Sequence, residues 1–148
     1  MAVATFPEVL QLVTFKLGDE EYGIDILKVQ EINRMTEITS MPKAPFSVEG
    51  VINLRGKVIP VVNLRKRFGL DLKEIDSQSR IIVVDIGSTV GLIVDSVSEV
   101  LRISSDTIEP PPPITGGIGS EHILGIGKLE DRLIILLDID KLLSEGIQ

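Results

Sequence analysis

The chain has 148 residues, 43% of them hydrophobic, with one Tyr, four Phe, no Trp and no Cys. That length is one ordinary domain able to bury roughly 70% of its unfolded surface, and the lack of cysteine excludes disulfides, thiolate chemistry and cysteine-based zinc sites. A net charge of −7, from 22 acidic and 15 basic residues, argues against non-specific nucleic-acid binding and against attraction to anionic lipid, both of which need clustered Lys and Arg.

Residues 1–8 read as a loose tail without the basic start and long apolar core of a secretory signal. No stretch reaches the ~18 apolar residues of a membrane span. Val9 to Leu17 and Tyr22 to Ile26 are predicted strands of a hairpin around Gly18-Asp19-Glu20-Glu21. From an N-cap at Asp25, the spacing of Ile26, Val29 and Ile32 or Asn33 predicts a short helix. Thr36 to Met41 reads as a short strand, stopped by Pro42 and Pro45. Val48 to Leu54 and Lys57 to Asn63 flank Arg55-Gly56, a tight turn with glycine in a left-handed position. Pro60 lacks an N–H and belongs at a sheet edge or bulge. Asn63 caps a helix from Leu64 to Phe68, closed by Gly69.

After the polar stretch from Asp71 to Ser79 the plan repeats. Arg80 to Ile86 and Val90 to Val94 form a hairpin, and Asp95 to Leu101 reads as a helix or turn. Glu109 and Pro110 to Pro113 predict a stiff extended spacer. The glycine-rich segment Ile114 to Glu121 follows. Gly125 to Leu129 and Arg132 to Asp138 form the last hairpin, and Asp138 caps a helix over Ile139 to Leu143.

The repetition is visible residue by residue. Gly50 to Phe68 recurs without a gap as Gly125 to Leu143, with Leu54 on Leu129, Lys57 on Arg132 and Asn63 on Asp138. Tyr22-Gly23-Ile24 aligns with Val90-Gly91-Leu92, and the same shift places Val29-Gln30-Glu31-Ile32 on Val97-Ser98-Glu99-Val100. The expected fold is mainly β: two small barrels, subdomains 9–79 and 80–148 of a single domain over 9–148, with short helices and a C-terminal helix returning to the first subdomain. An apolar seam joins them, because barrels this small are marginal alone.

Catalytic chemistry is not legible. His122 is a lone histidine in a loop, Gly117-Ile118-Gly119 lacks the third glycine of a dinucleotide turn, and Asp138 stands where an N-cap belongs. No catalytic residue, cofactor site or metal site is therefore assigned. Recognition candidates cluster at the hairpin tips: Asn53, Arg55 and Lys57 in one copy, Lys128, Glu130 and Arg132 in the other. A bidentate pair between Arg55 and Glu31 at the seam is expected.

The segments GDEEYGIDILKVQEI (18–32), GVINLRGKVIPVVNLR (50–65), GLIVDSVSEVL (91–101) and LIILLDIDKLL (133–143) closely resemble the CheW-like family of bacterial chemotaxis coupling proteins, over essentially the whole chain. The resemblance implies two five-stranded SH3-like barrels and a non-catalytic cytoplasmic adaptor. It would link the cytoplasmic tips of chemoreceptors to the regulatory domain of the histidine kinase CheA, and reach the membrane-associated array only through those partners. It also implies a receptor groove between the barrels, lined by Val29, Glu31, Gly50, Asn53 and Arg55 on one side and Gly91, Val94 and Val100 on the other, with Ile114 at a kinase contact. The same fold occurs within CheA and in CheV, whose further domains find no room in 148 residues, so a free-standing coupling protein is expected. The alternatives are a two-barrel peptide-binding module outside chemotaxis, and an enzyme built on His122 or on Asp138 and Asp140.

Overall fold

The computed structural model describes residues 6–112 and 122–144. In chain order the elements are β1 (Val9–Leu17), β2 (Glu20–Asp25), a 3-10 turn (Ile26–Lys28), β3 (Val29–Arg34), β4 (Val48–Leu54), β5 (Lys57–Asn63), α1 (Leu64–Arg67), β6 (Arg80–Asp85), β7 (Thr89–Val94), β8 (Ser96–Ser104), a second 3-10 turn (Ser105–Thr107), β9 (Ile108–Glu109), β10 (Ile123–Leu129), β11 (Arg132–Leu137) and α2 (Ile139–Ser144). They form a six-stranded sheet, β8-β1-β2-β11-β10-β9, and a five-stranded sheet, β3-β6-β7-β5-β4. The mainly β, two-barrel expectation holds.

The division at 79/80 does not. The five-stranded sheet uses residues of 29–94, and the six-stranded sheet combines 9–25 with 96–137. Each repeat lends its first hairpin to the other repeat's sheet. The sheets keep one strand order, because β1-β2 and β6-β7 occupy equivalent places between β8 and β11 and between β3 and β5. Register is equivalent too. The parallel pairs Leu136↔Gly23 and Val61↔Gly91 join matching residues of the two copies. Gly50 and Gly125 each follow a bulge on β4 and β10. The isolated bridge Thr39↔Val51 is the counterpart of β9 pairing with β10, and is all that forms of the strand expected over Thr36 to Met41.

Two further expectations fail for one reason. The helix expected from Asp25 is only the 3-10 turn, whose Leu27 N–H is accepted by Asp25 at 2.9 Å, and the stretch 95–101 is mostly strand β8. A bulge on β3 leaves Gln30 unpaired between Val29↔Val84 and Glu31↔Val83, and one on β8 leaves Ser98 unpaired between Val97↔Phe15 and Glu99↔Thr14. A bulge puts residues three apart on the same side of a strand, so the apolar spacing imitates a helix. Pro60 lies in an interior strand, but the ladder from β5 to β7 starts at Val61, so one side of the strand is unpaired there. Glu109 belongs to β9 rather than to the proline spacer.

The core has three parts. Ile52, Ile59, Val61, Ile81, Val83 and Ile93 fill the five-stranded barrel. Leu10, Leu12, Ile103, Ile134 and Leu136 fill the other. The largest cluster is the seam, where Val13, Phe15, Tyr22 and Ile24 of one sheet meet Ile82, Val84, Leu92 and Val94 of the other. Helix α1 adds Leu64 and Phe68, and α2 adds Ile139, Leu142 and Leu143. Helix α2 thus packs into the shared seam, and Arg67, the last residue of α1, donates to the Leu142 carbonyl at 3.3 Å. Rings of Phe15, Tyr22 and Phe68 stack in series with centroids 5.7 and 5.6 Å apart.

Candidate functional site: the uncovered margins of the seam

Residues directly opposite on an antiparallel pair share a face, so register decides what each side chain of the edge strands β3 and β8 meets. On β3, Val29 lies opposite Val84, Ile32 opposite Ile82 and Arg34 opposite Arg80. On β8, Val97 lies opposite Phe15, Val100 opposite Val13 and Arg102 opposite Gln11. The partners Val84, Ile82, Phe15 and Val13 are seam core. These six edge residues therefore point to the seam side, and the two sets are equivalent in the repeat. Val29 and Val97 are half-buried against the seam cluster. Ile32 remains 39% exposed and Val100 53%, although their partners are buried. The edge strands run past the part of the seam that the opposite sheet covers, leaving apolar side chains open to solvent.

Glu31 points the other way. Its partner Val83 belongs to the barrel interior, and its carboxylate receives Arg55 in a bidentate pair, Nη1 to Oε1 at 3.0 Å with Nη2 on Oε2. Hydrogen bonds from Arg55 and then Asn33 hold the Glu31 carboxyl below its usual range. The pair exists as expected, but it does not sit at the seam. It joins β3 to the β4–β5 tip, the two ends of the five-stranded order, and so fastens that barrel shut. At the tip Arg55 and Gly56 both have positive φ, 52° and 86°, as a two-residue I′ turn requires. Asn53 accepts the Gly56 N–H at 2.8 Å.

The remaining expected site residues fall into the fold itself. Gly50 is buried, and a Cβ there would stand 2.1 Å from the Thr39 carbonyl oxygen. Gly91 is buried with Ile81 Cγ2 2.9 Å from where its Cβ would be. Val94 is 1% exposed in the seam core. Ile114 lies outside the described residues. His122, read as a solvated loop side chain, is buried, and its carbonyl accepts the Asp138 N–H at 2.8 Å. Asp138 is the expected cap of α2, accepting from Lys141 N at 3.1 Å. Among the described residues no group of three or more His, Cys, Asp or Glu is placed to hold a metal ion, and no helix is long and apolar enough to cross a membrane.

A family model described as the CheW-like domain matches residues 11–146. The chain belongs to the CheW-like family. The chemotaxis protein CheW of Klebsiella aerogenes is 42% identical over 135 residues, 90% of this chain and 81% of that protein. The chemotaxis protein CheW of Treponema pallidum is 39% identical over 147 residues, 96% of this chain and 86% of that protein. The crystal structure of the scaffolding protein TtCheW from Thermoanaerobacter tengcongensis superimposes with a TM-score of 0.84 at 43% identity, covering 96% of this chain and 92% of that one. With relatives named as chemotaxis proteins and a solved relative named as a scaffolding protein, this CheW-like chain is a non-catalytic chemotaxis scaffold rather than an enzyme.

Sequence reasoning named Val29 and Val100 on the exposed margins but missed Ile32, Arg34, Arg80 and Arg102. The alignment that pairs Val29 with Val97 also pairs Ile32 with Val100 and Arg34 with Arg102. Only the register shows which face the arginines take.

Proposed function

We propose that this chain couples the cytoplasmic tips of chemoreceptors to the regulatory domain of the kinase CheA, working in the cytoplasm at the receptor array through those two partners. The receptor tip, a helical hairpin, docks on the uncovered seam margins, with Ile32 and Val100 as apolar contacts and Val29 and Val97 beneath them. The observation that carries this reading is the exposure of Ile32 and Val100 on faces whose neighbours are seam core, since an amphipathic helix recognises a groove through such anchors. The Glu31–Arg55 pair, Gly50, Asn53, Gly91 and Val94 then support the face by fixing the barrel behind it. Ile114 is assigned to the kinase contact by family resemblance. The mechanism is scaffolding: two distinct surfaces hold receptor and kinase together, so a change in receptor packing biases the kinase, and array multivalency reinforces contacts that are individually modest.

Calorimetry with a receptor cytoplasmic fragment and, separately, with the CheA regulatory domain tests the reading. Saturable binding to both is expected. Binding to the receptor fragment but not to the kinase domain would point instead to a peptide-binding module outside the kinase pathway.

A further inference from the structure

The seam margins carry three arginines with no carboxylate to meet them. Arg34 and Arg102 occupy the same repeat position on β3 and β8, both exposed, and neither has a hydrogen-bond or ion-pair partner among the described residues. Arg80 lies directly opposite Arg34 on the same face. Its Nη1 donates to the carbonyls of Ser77 and Ser79 at 2.9 and 2.8 Å, which leaves the rest of its fork available. Like charges directly opposite across strands oppose folding, and no described carboxylate forms an ion pair with either, although Asp76 lines the same hollow.

Arg34, Arg80, Met35, Asp76, Ser77 and Ser79 line an open hollow of about 370 Å³. Its one carboxylate is engaged elsewhere. Asp76 accepts from Lys73 Nζ at 2.6 Å and from Gln78 N at 2.8 Å. Exposed apolar residues flank the lining in the chain: Ile32 precedes Arg34 by two residues on the same strand, and Ile75 immediately precedes Asp76.

We propose that this arginine rim receives carboxylate side chains from an acidic, amphipathic segment of a protein docked on the seam margins. The proposal rests on the docking reading above and adds the chemistry of the segment. Arginine forks pair bidentately with carboxylates, and the exposed Ile32 and Ile75, each within two residues of the lining, suit apolar side chains on the same segment. An open hollow flanked in the chain by exposed apolar side chains fits a side chain presented by a protein surface better than a free ion. Because the chain as a whole is negative, a local cationic rim is what lets an acidic partner approach in one orientation.

The test is an NMR titration of the ¹⁵N-labelled full chain with a synthetic amphipathic helix bearing Glu on one face and Leu on the other, with its Gln-for-Glu twin, and with inorganic phosphate. The acidic peptide is expected to move the Arg34 and Arg80 Nε–H signals and the amides of 76–80 saturably. The Gln twin should bind at least tenfold more weakly, and phosphate should not reproduce the pattern. Arg34→Gln should weaken acidic-peptide binding several-fold and leave the melting temperature unchanged or raised, because it relieves a repulsion. Equal binding of the Gln twin, or the same shifts from phosphate alone, would overturn the proposal, the latter by making the hollow a small-anion site. So would an Arg34→Gln variant that melts lower and binds normally, since Arg34 would then be structural. A receptor fragment separates the two levels. If Val100→Asp abolishes its binding while Arg34→Gln does not weaken it, only the arginine rim fails. If Val100→Asp leaves it intact, the docking reading fails first.

Discussion

Gly50 and Gly56 both have positive φ, for different reasons, and the difference is measurable. At Gly50, φ is 151° and the Thr39 backbone is so close that a side chain cannot be accommodated without moving a strand. At Gly56, φ is 86° and a methyl group would meet nothing within 4 Å, so only the turn conformation is at stake. Gly50→Ala is expected to destabilise by on the order of 3 kcal/mol or to prevent folding, and Gly56→Ala by about 1 kcal/mol, as read by urea unfolding. Equal costs would mean that the Thr39–Val51 bridge yields easily. The turn glycine was legible in the sequence because Arg-Gly between two apolar runs is a hairpin signal. The packing role of Gly50 was not, because Thr39, the residue it meets, comes from a loop with no strand signal of its own.

Among the described elements, the chain passes between the sheets only at 25–29 and at 94–96, and each passage is clamped to the helix of the other copy. Asp95 accepts Arg65 through Nε at 2.8 Å and Nη2 at 2.6 Å, and also accepts the Gly18 N–H at 2.8 Å. At the repeat position of Arg65 stands Asp140, which pairs with Lys28 at 2.8 Å at the other passage. The polarity is reversed, and the second clamp is far more exposed. Exposed pairs contribute little, so the Arg65–Asp95 clamp is the stabilising one. Burial pushes the Asp95 carboxyl up, but the Arg65 guanidinium and the Gly18 N–H outweigh it and hold it below its usual value of 3.8. A carboxylate depressed in the fold stabilises above its unfolded pKa of about 3.9 and loses that contribution as pH falls through the lower folded value. Asp95→Asn should therefore cost on the order of 2 kcal/mol at pH 7, with the difference from the parent chain shrinking below about pH 4. A difference that stays constant from pH 7 to pH 3 would show that the charge on Asp95 is irrelevant. Elements were the most misleading level for the sequence, since the bulges at Gln30 and Ser98 gave two strands the apolar spacing of helices.

For the whole molecule, the duplication was plain in the sequence and the exchange of hairpins was not. Swapping β1-β2 with β6-β7 leaves every strand beside the same kind of neighbour, in the same register and with the same bulges, so local patterning is satisfied by either arrangement. Only the finished topology distinguishes them. Its consequence is cooperativity. The seam is the largest core cluster and draws on both sheets and both helices, so unfolding should be a single transition by calorimetry and circular dichroism, and the fragments 1–79 and 80–148 should each be unfolded alone. A folded 80–148 fragment would show that β6-β7 can stand in for β1-β2 between β8 and β11, and that the exchange is not what makes the fold cooperative.

If the seam margins on β3 and β8 form a docking face separate from the kinase contact, a single charge placed there should divide the two partners. The decisive experiment is calorimetric binding of the Val100→Asp variant to the receptor fragment and to the CheA regulatory domain, beside the parent chain and with melting temperatures in hand. Val100 is 53% exposed, so the fold should tolerate the change. Receptor binding is expected to fall by at least tenfold, kinase binding to stay within twofold of the parent, and the melting temperature to be unchanged. Receptor binding equal to that of the parent, in a folded variant, would show that the margins are not the docking face.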